Sequence, residues 1–166
     1  MKFAIVAAGL VAVAAAASGQ EQASRWSYFE GEGGMTGAAV QAADGSQLIL
    51  KCDKPGRREV YAMVVSGDAR LAVPNQRPIS RPITVRADGK SPETGDWRFY
   101  ERYATALGKT SDRTLARFVV DLRNASSLNM RLDTGISQDV VVDFDVTGAS
   151  EVVPHVYEVC KDTMPA

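Results

Sequence analysis

Cys52 and Cys160 are the two cysteines of the chain, and whether they join constrains its fold more than any other sequence feature. A bridge between them would tie the first half of the polypeptide to its last residues. That requires an oxidising compartment, because thiols in the cytosol are kept reduced. The N-terminal residues predict such a compartment. Met1 and Lys2 form a short positive segment, and Phe3 to Ala17 then runs without a charged or polar side chain. The small residues Ala15, Ala17 and Gly19 precede the polar Gln20-Glu21-Gln22. This is the tripartite order of a secretory signal, with cleavage expected after Ala17 or Gly19. A membrane span needs about 20 consecutive apolar residues, and this run is shorter and rich in weakly apolar alanine. Residues 1–19 are therefore read as a cleaved signal peptide, and residues 20–166 as a single globular domain, periplasmic or secreted.

An even cysteine count in an exported chain is most simply one structural disulfide. It would close a loop of about 110 residues, for which chain entropy predicts roughly 4–5 kcal/mol. Two reduced, buried thiols are the alternative. A redox-active pair would call for C-x-x-C spacing, which the sequence lacks. Removing the signal leaves a chain of about the usual size for one domain, able to bury a core without metals. The formal net charge of −1 offers no electrostatic case for nucleic acid or an anionic membrane as partner. No later stretch is long and apolar enough to span a bilayer, so the mature form is expected to lack an integral span.

Along the chain, strand signals dominate the first two thirds. Gln47 to Cys52 follows the turn pair Asp44-Gly45, and Val60 to Val65 follows the turn Lys54-Pro55-Gly56-Arg57-Arg58. The two runs predict an antiparallel hairpin. Pro74, Pro78 and Pro82 argue against a central strand between Ala72 and Pro82. Ile83 to Ala87 resumes strand character up to the turn pair Asp88-Gly89. Asp96 to Tyr100 is another strand, with Tyr103 to Leu107 its continuation or partner.

The period then changes. Leu115, Phe118, Val119 and Leu122 fall at i, i+3, i+4 and i+7, the apolar stripe of a short helix, with Ser111 and Asp112 as its N-cap. Leu128, Met130 and Leu132 return to period two, and Val140, Val142, Phe144 and Val146 mark the strongest strand. A last helix is expected from Ser150 to Cys160, with Pro154 tolerable only near its first turn. The pattern predicts an α+β fold: a mostly antiparallel β-sheet or sandwich, two short helices in the C-terminal half, and one disulfide.

Chemically specific motifs are scarce. His155 is the one histidine, and no nucleophile motif such as G-x-S-x-G accompanies it, so a surface or helix-end role is expected. One histidine and two bonded cysteines cannot supply a usual zinc set. No metal and no cofactor is expected. Asp139, Asp143 and Asp145 would share a strand face, with neighbours about 6.5–7 Å apart, which overlaps the carboxylate spacing of an inverting glycosidase. Any solvent-facing strand looks the same. Gly31-Glu32-Gly33-Gly34 lacks the phosphate-loop forms and reads as a plain loop. Lys54, Arg57 and Arg58 in one turn, with Arg77 and Arg81 on the proline-rich stretch, are the candidate interaction residues. Of Trp97, Phe99 and Tyr100, alternation places at least one outward.

The order of these features resembles a known group. Trp26 follows the signal, then Leu48-Ile49-Leu50-Lys51-Cys52, then Ile83-Thr84-Val85-Arg86-Ala87-Asp88 and Trp97. Asp121 to Leu128 follows, and Val142-Asp143-Phe144-Asp145-Val146-Thr147-Gly148-Ala149 closes the pattern, with Cys160 twelve residues beyond Gly148. The chain resembles the VasI-type exported proteins associated with type VI secretion, and its end is similar to the tail of the invasion-associated locus B family. The resemblance implies a small envelope protein of Gram-negative type, an accessory or binding protein without catalytic residues to carry over. The positions it carries, Cys52 and Cys160, are structural.

The leading functional expectation is thus a periplasmic, non-catalytic binding or accessory module whose partner is another envelope protein. A small hydrolase using a carboxylate pair and a small-ligand carrier are the alternatives. A carrier would need an apolar cavity of about 300 Å³ or more.

Overall fold

The computed structural model describes residues 26–54, 59–108 and 113–166. The signal segment 1–19 and the positions of Arg57, Arg58, Ser111 and Asp112 lie outside the described residues. Among the described residues nine strands and two α-helices follow in order: β1 (Ser27–Glu30), β2 (Thr36–Gln41), β3 (Gln47–Cys52), β4 (Tyr61–Val65), β5 (Ile79–Ala87), β6 (Glu93–Phe99), β7 (Tyr103–Ala106), α1 (Thr114–Arg123), β8 (Ser127–Leu132), β9 (Val140–Asp145) and α2 (Ala149–Cys160). The chain is an α+β fold built on one antiparallel sheet, with both helices in the C-terminal half.

The strands lie in the order β1-β2-β3-β4-β7-β6-β5-β8-β9. The first four form a meander. The proline-rich segment then carries the chain three places across, and β6 and β7 fold back to fill the gap beside β4. α1 next spans from β7 to the far side of β5, where β8 and β9 complete the sheet. The strip curls, so that β2 approaches β9 and Trp26 Nε1 donates to the carbonyl of Val146 at 3.3 Å.

Period-two alternation puts one face of every long strand into a single core. Leu50 stands between Ala38 and Ala62, and Met130 between Val85 and Val142. All six are buried. The helices close this face. α1 sets Leu115, Phe118, Val119 and Leu122 against the sheet, with Phe118 edge-to-face on Trp97 at 5.2 Å. α2 lays Val152, Val156, Tyr157 and Cys160 over β2 and β3, and the two helices pack on each other. No helix among the described residues is long and apolar enough to cross a membrane.

The disulfide forms as the cysteine count predicts. Cys52 ends β3 and Cys160 ends α2; their Cα atoms are 6.0 Å apart and both residues are fully buried.

Three local expectations are corrected. β5 begins at Ile79, runs through Pro82 and lies in the interior of the sheet rather than stopping short of the prolines. Pro82 is accommodated because β8 pairs with β5 only from Ile83 onward. The carbonyl of Pro82 faces the chain beyond the end of β8, where it accepts the N–H of Asp133 at 3.3 Å. In an antiparallel ladder a residue's N and O point to the same side, so the missing proline donor faces Asp133 just past the end of β8, and only the Pro82 carbonyl bonds there. The second correction concerns α1, whose N-cap is Arg113, in the left-handed region at φ 56° and without a side-chain capping bond. Third, Pro154 sits inside α2, past the first turn. The carbonyl it deprives belongs to Ser150, an exposed residue that water can satisfy.

Candidate functional site

The residues of β3, β4 and β7 that do not enter the core face away from the helices, and there they build a cleft. Lys51 lies opposite Tyr61, Ile49 opposite Met63, Met63 opposite Thr105, and Val65 opposite Tyr103. Met63, Val65 and Thr105 belong to its floor. Lys51, Asp53, Glu59 and Leu107 stand at one end, and Tyr100 and Tyr103 at the other. The cavity measures about 720 Å³. A binding site for a small ligand typically spans about 300–1,000 Å³ and mixes apolar walls with a few placed polar groups.

At the first end the charges are tied together. Lys51 Nζ lies 3.6 Å from Asp53 Oδ1 and 5.4 Å from the centre of the Tyr61 ring, and it contacts Met35 Sδ at 3.0 Å. The phenol of Tyr61 donates to Asp53 Oδ1 at 2.8 Å. These bonds hold the ammonium, the carboxylate and the ring in one arrangement. Cys52 separates Lys51 from Asp53 on the opposite face of β3, so the disulfide anchors the strand directly behind this end of the cleft.

At the second end Tyr100 and Tyr103 stack, with ring centres 4.4 Å apart and planes 14° from parallel. The N–H of Tyr100 donates to the carbonyl of Tyr103 at 2.8 Å, which fixes the turn carrying both rings. Burial, and to a lesser degree the neighbouring Tyr100, raise the pKa of Tyr103 above its usual value, so its phenol stays neutral. Tyr103 nevertheless remains 36% exposed, which is unusual for a large ring on a central strand.

The floor holds an anomaly. Thr105 is 6% exposed, and its Oγ1 is buried with no hydrogen-bond partner among the described residues. Leaving a buried hydroxyl unsatisfied costs about 1–3 kcal/mol.

Of the interaction residues expected from sequence, Lys54, Arg77 and Arg81 are among the described residues, and these three lie apart. Lys54 is exposed just beyond Asp53, at the cleft's charged end. Arg57 and Arg58 lie outside the described residues. Arg77 is exposed in the segment leading into β5, toward the opposite end of the sheet, since Ile79 is level with Phe99 and Ala104. Arg81 is half-buried: its guanidinium fills the space where Gly135 lacks a side chain, and its Nε is buried without a hydrogen-bond partner. The Arg81 guanidinium thus packs under the β8–β9 connection.

Other sequence candidates resolve differently. Asp139 accepts from Arg131 Nε at 2.7 Å, Asp143 from Asn129 Nδ2 at 2.8 Å, and Asp145 from the N–H of Thr147 at 3.0 Å. Each carboxylate is thus bonded to its own neighbour at the outer surface of an edge strand, and the three do not converge on a cavity. His155 packs edge-to-face on Tyr28 at 4.9 Å, beside a small groove. Gly31 to Gly34 make the tight connection between β1 and β2, closed by the N–H of Gly31 on the carbonyl of Met35 at 2.7 Å. No cluster of three or more His, Cys, Asp or Glu side chains able to hold a metal ion occurs among the described residues. Of the aromatic trio, Trp97 and Phe99 are core and Tyr100 faces the cleft.

Comparison with protein families adds one assignment. The family model named YfjT matches residues 24–153, which take in every strand of the sheet and the first part of α2. The chain belongs to the YfjT family. No curated protein and no solved structure matches it. The YfjT match includes Cys52 and every cleft-lining residue, and stops short of Cys160.

Tyr61, Tyr103 and Thr105 were not singled out from sequence. The signal that could have found them is the outward half of the alternation: Tyr61, Met63 and Val65 are large and apolar on the side of β4 that an antiparallel sheet usually gives to water.

Proposed function

We propose that this protein works in the cell envelope as a non-catalytic binding module, and that the outer-face cleft is its working surface. The observation that carries the reading is the cleft itself. An exposed Tyr103 and the half-buried Tyr61, Tyr100, Met63 and Val65 line a cleft on the face of the sheet turned away from the helices, around a hydroxyl without a partner. A concave, largely apolar surface of this kind marks an interaction site. The resemblance to VasI-type exported proteins, and to the tail of the locus B family, agrees with a secretion- or envelope-associated role. The paired, outward carboxylates of β9 favour binding over hydrolysis, because none of them shares a pocket with another.

The test is made in intact cells. A photo-crosslinking amino acid is placed at Tyr103, and envelope fractions are recovered after irradiation. The expected product is a polypeptide lacking its signal, two hydrogens lighter for the bridge, and carrying a defined crosslinked adduct. A full-length chain retained in the cytosol would overturn the localisation. Absence of an adduct at Tyr103, with an adduct formed from Arg77 instead, would overturn the choice of surface.

A further inference from the structure

The open edge of β1 offers a second binding surface: we propose that an extended segment of another protein adds to it as a further strand, antiparallel to β1. The segment carries a Lys or Arg two residues before an apolar side chain. This surface shares no lining residue with the cleft and stands independently of it.

The backbone comes first. β1 is one margin of the sheet and pairs with β2 alone among the described residues. The N–H of Gly31 donates to the carbonyl of Met35, which lies opposite it when the β1–β2 register is continued, so these two form a bonded pair. Bonded and non-bonded pairs alternate along an antiparallel ladder. Phe29 with Gly37 is therefore the next bonded pair, whereas Tyr28 with Ala38 and Glu30 with Thr36 are non-bonded. The backbone N–H and C=O of Tyr28 and Glu30 consequently point away from β2, toward the open margin. An incoming strand bonds to these two residues, and its side chains opposite them fall on the same face as theirs.

On that face a groove of about 170 Å³ runs between β1 and α2, with Tyr28, Glu30, His155 and Val159 in its lining. The edge-to-face contact of Tyr28 with His155 sets the spacing of strand and helix. Tyr28 is 55% exposed and Val159 37%, so two large apolar side chains open on one recess. Single exposed apolar residues are ordinary. A recess holding two of them beside an open strand edge is what strand addition uses for specificity. Charge selects the rest. Glu30 lines the groove and, among the described residues, no Lys or Arg does. Glu151 and Glu158 stand exposed one turn either side of His155 on α2. In an antiparallel addition the partner residue opposite Glu30 lies two positions before the one opposite Tyr28. That order puts the cation first and the apolar side chain after it. A second copy of this chain would instead set one acidic margin against another.

The experiment uses the oxidised, signal-free chain, isotopically labelled. It is titrated with acetylated Ser-Thr-Lys-Thr-Val-Thr-Ser amide, with the same peptide N-methylated at Val, and with one bearing Glu in place of Lys. The first peptide is expected to shift the amide resonances of Tyr28, Glu30 and Val159 and to leave those of Met63 and Val65 in place. N-methylation removes the N–H that reaches the Tyr28 carbonyl and should weaken binding about tenfold or more. The Glu peptide should bind about three- to fivefold more weakly than the Lys peptide, and Glu30→Lys should reverse that preference. Glu30 is exposed, so the variant should melt with the parent. The N-methyl comparison uses the unaltered chain and so does not depend on the variant's folding. Absence of shifts from the first peptide, equal binding by its N-methyl or Glu form, or shifts confined to the cleft overturns the proposal. Shifts at Tyr28 and Glu30 that follow protein concentration without peptide assign the edge to a second copy and overturn it as well.

Discussion

Asp162 accepts the backbone N–H of Val60 through its carboxylate at 2.8 Å, two residues after Cys160 closes the bridge to Cys52. The end of α2 is thus fastened twice to the strands that carry the charged end of the cleft, once covalently at β3 and once by a charge-assisted hydrogen bond leading into β4. Between the two fastenings, α2 ends in a left-handed residue, Lys161, with the N–H of Asp162 returning to Tyr157 and that of Lys161 to Glu158. This is the Schellman pattern, and it aims the Asp162 carboxylate at Val60.

Cys160→Ala should therefore lower the melting temperature in oxidising buffer and leave a chain whose melt no longer responds to reductant. The sequence separation of 108 residues sets an upper expectation of about 4–5 kcal/mol from chain entropy. Asp162→Ala in the bridged protein should cost less, about 1.5–3 kcal/mol for one hydrogen bond to a charged group. Calorimetry of both variants, with and without reductant, checks the ranking; a bridge-free variant as stable as the parent would contradict it.

Lys161→Gly should stabilise the protein. Lys161 adopts φ 54° and ψ 41°, a conformation that glycine enters without the steric cost of a Cβ. The gain is about 0.5–1 kcal/mol after the extra freedom of glycine in the unfolded chain is deducted. Urea denaturation would reveal it as a higher midpoint at unchanged slope.

Gly95→Ala should destabilise, by about 1–3 kcal/mol, the range for overpacking a filled contact. A Cβ on Gly95 would stand 2.7 Å from the Thr114 hydroxyl, where the start of α1 lies on β6. The double variant Gly95→Ala with Thr114→Ser, which removes one methyl of the clash, should recover part of the loss in the same thermal melt.

Asp88 makes stability depend on acid. Its carboxylate accepts the backbone N–H groups of Ser126 and Ser127, both at 2.9 Å, and these bonds hold its pKa below the ordinary value. The ionised form favours the fold, so the contribution is complete above the unfolded carboxylate's value of about 3.9 and is lost as pH falls through the lower folded value. Asp88→Asn should be less stable than the parent at neutral pH, and the gap between them should close on acidification. Parallel unfolding curves from about pH 7 down to about pH 2.5 give the comparison; a gap that widens in acid would refute the assignment.

Much of the fold could be read locally because its cause is local. Val140 to Val146 and Leu128 to Leu132 alternate at period two, and Leu115 to Leu122 repeats at helical spacing, so each segment announces its own geometry. Pro82 misled for an equally physical reason. A proline excludes a strand from the middle of a sheet only where its nitrogen faces a paired neighbour, and that depends on where β8 ends. The surroundings of Arg81 were not local either: it is adjacent in sequence to exposed positions, yet it packs under Gly135, a residue more than fifty positions away.

Residue order alone determined that outward and inward side chains alternate, that two cysteines could be joined, and that the C-terminal half holds two helices. It did not determine that β7 returns to lie beside β4, because strand pairing is settled by the total burial of the whole sheet rather than by any one segment. Only that pairing sets Thr105 beside Met63 and Tyr103 beside Val65. The cleft joins the β3–β4 hairpin to a third strand distant in sequence, and it exists only once the core on their other face has chosen their neighbours.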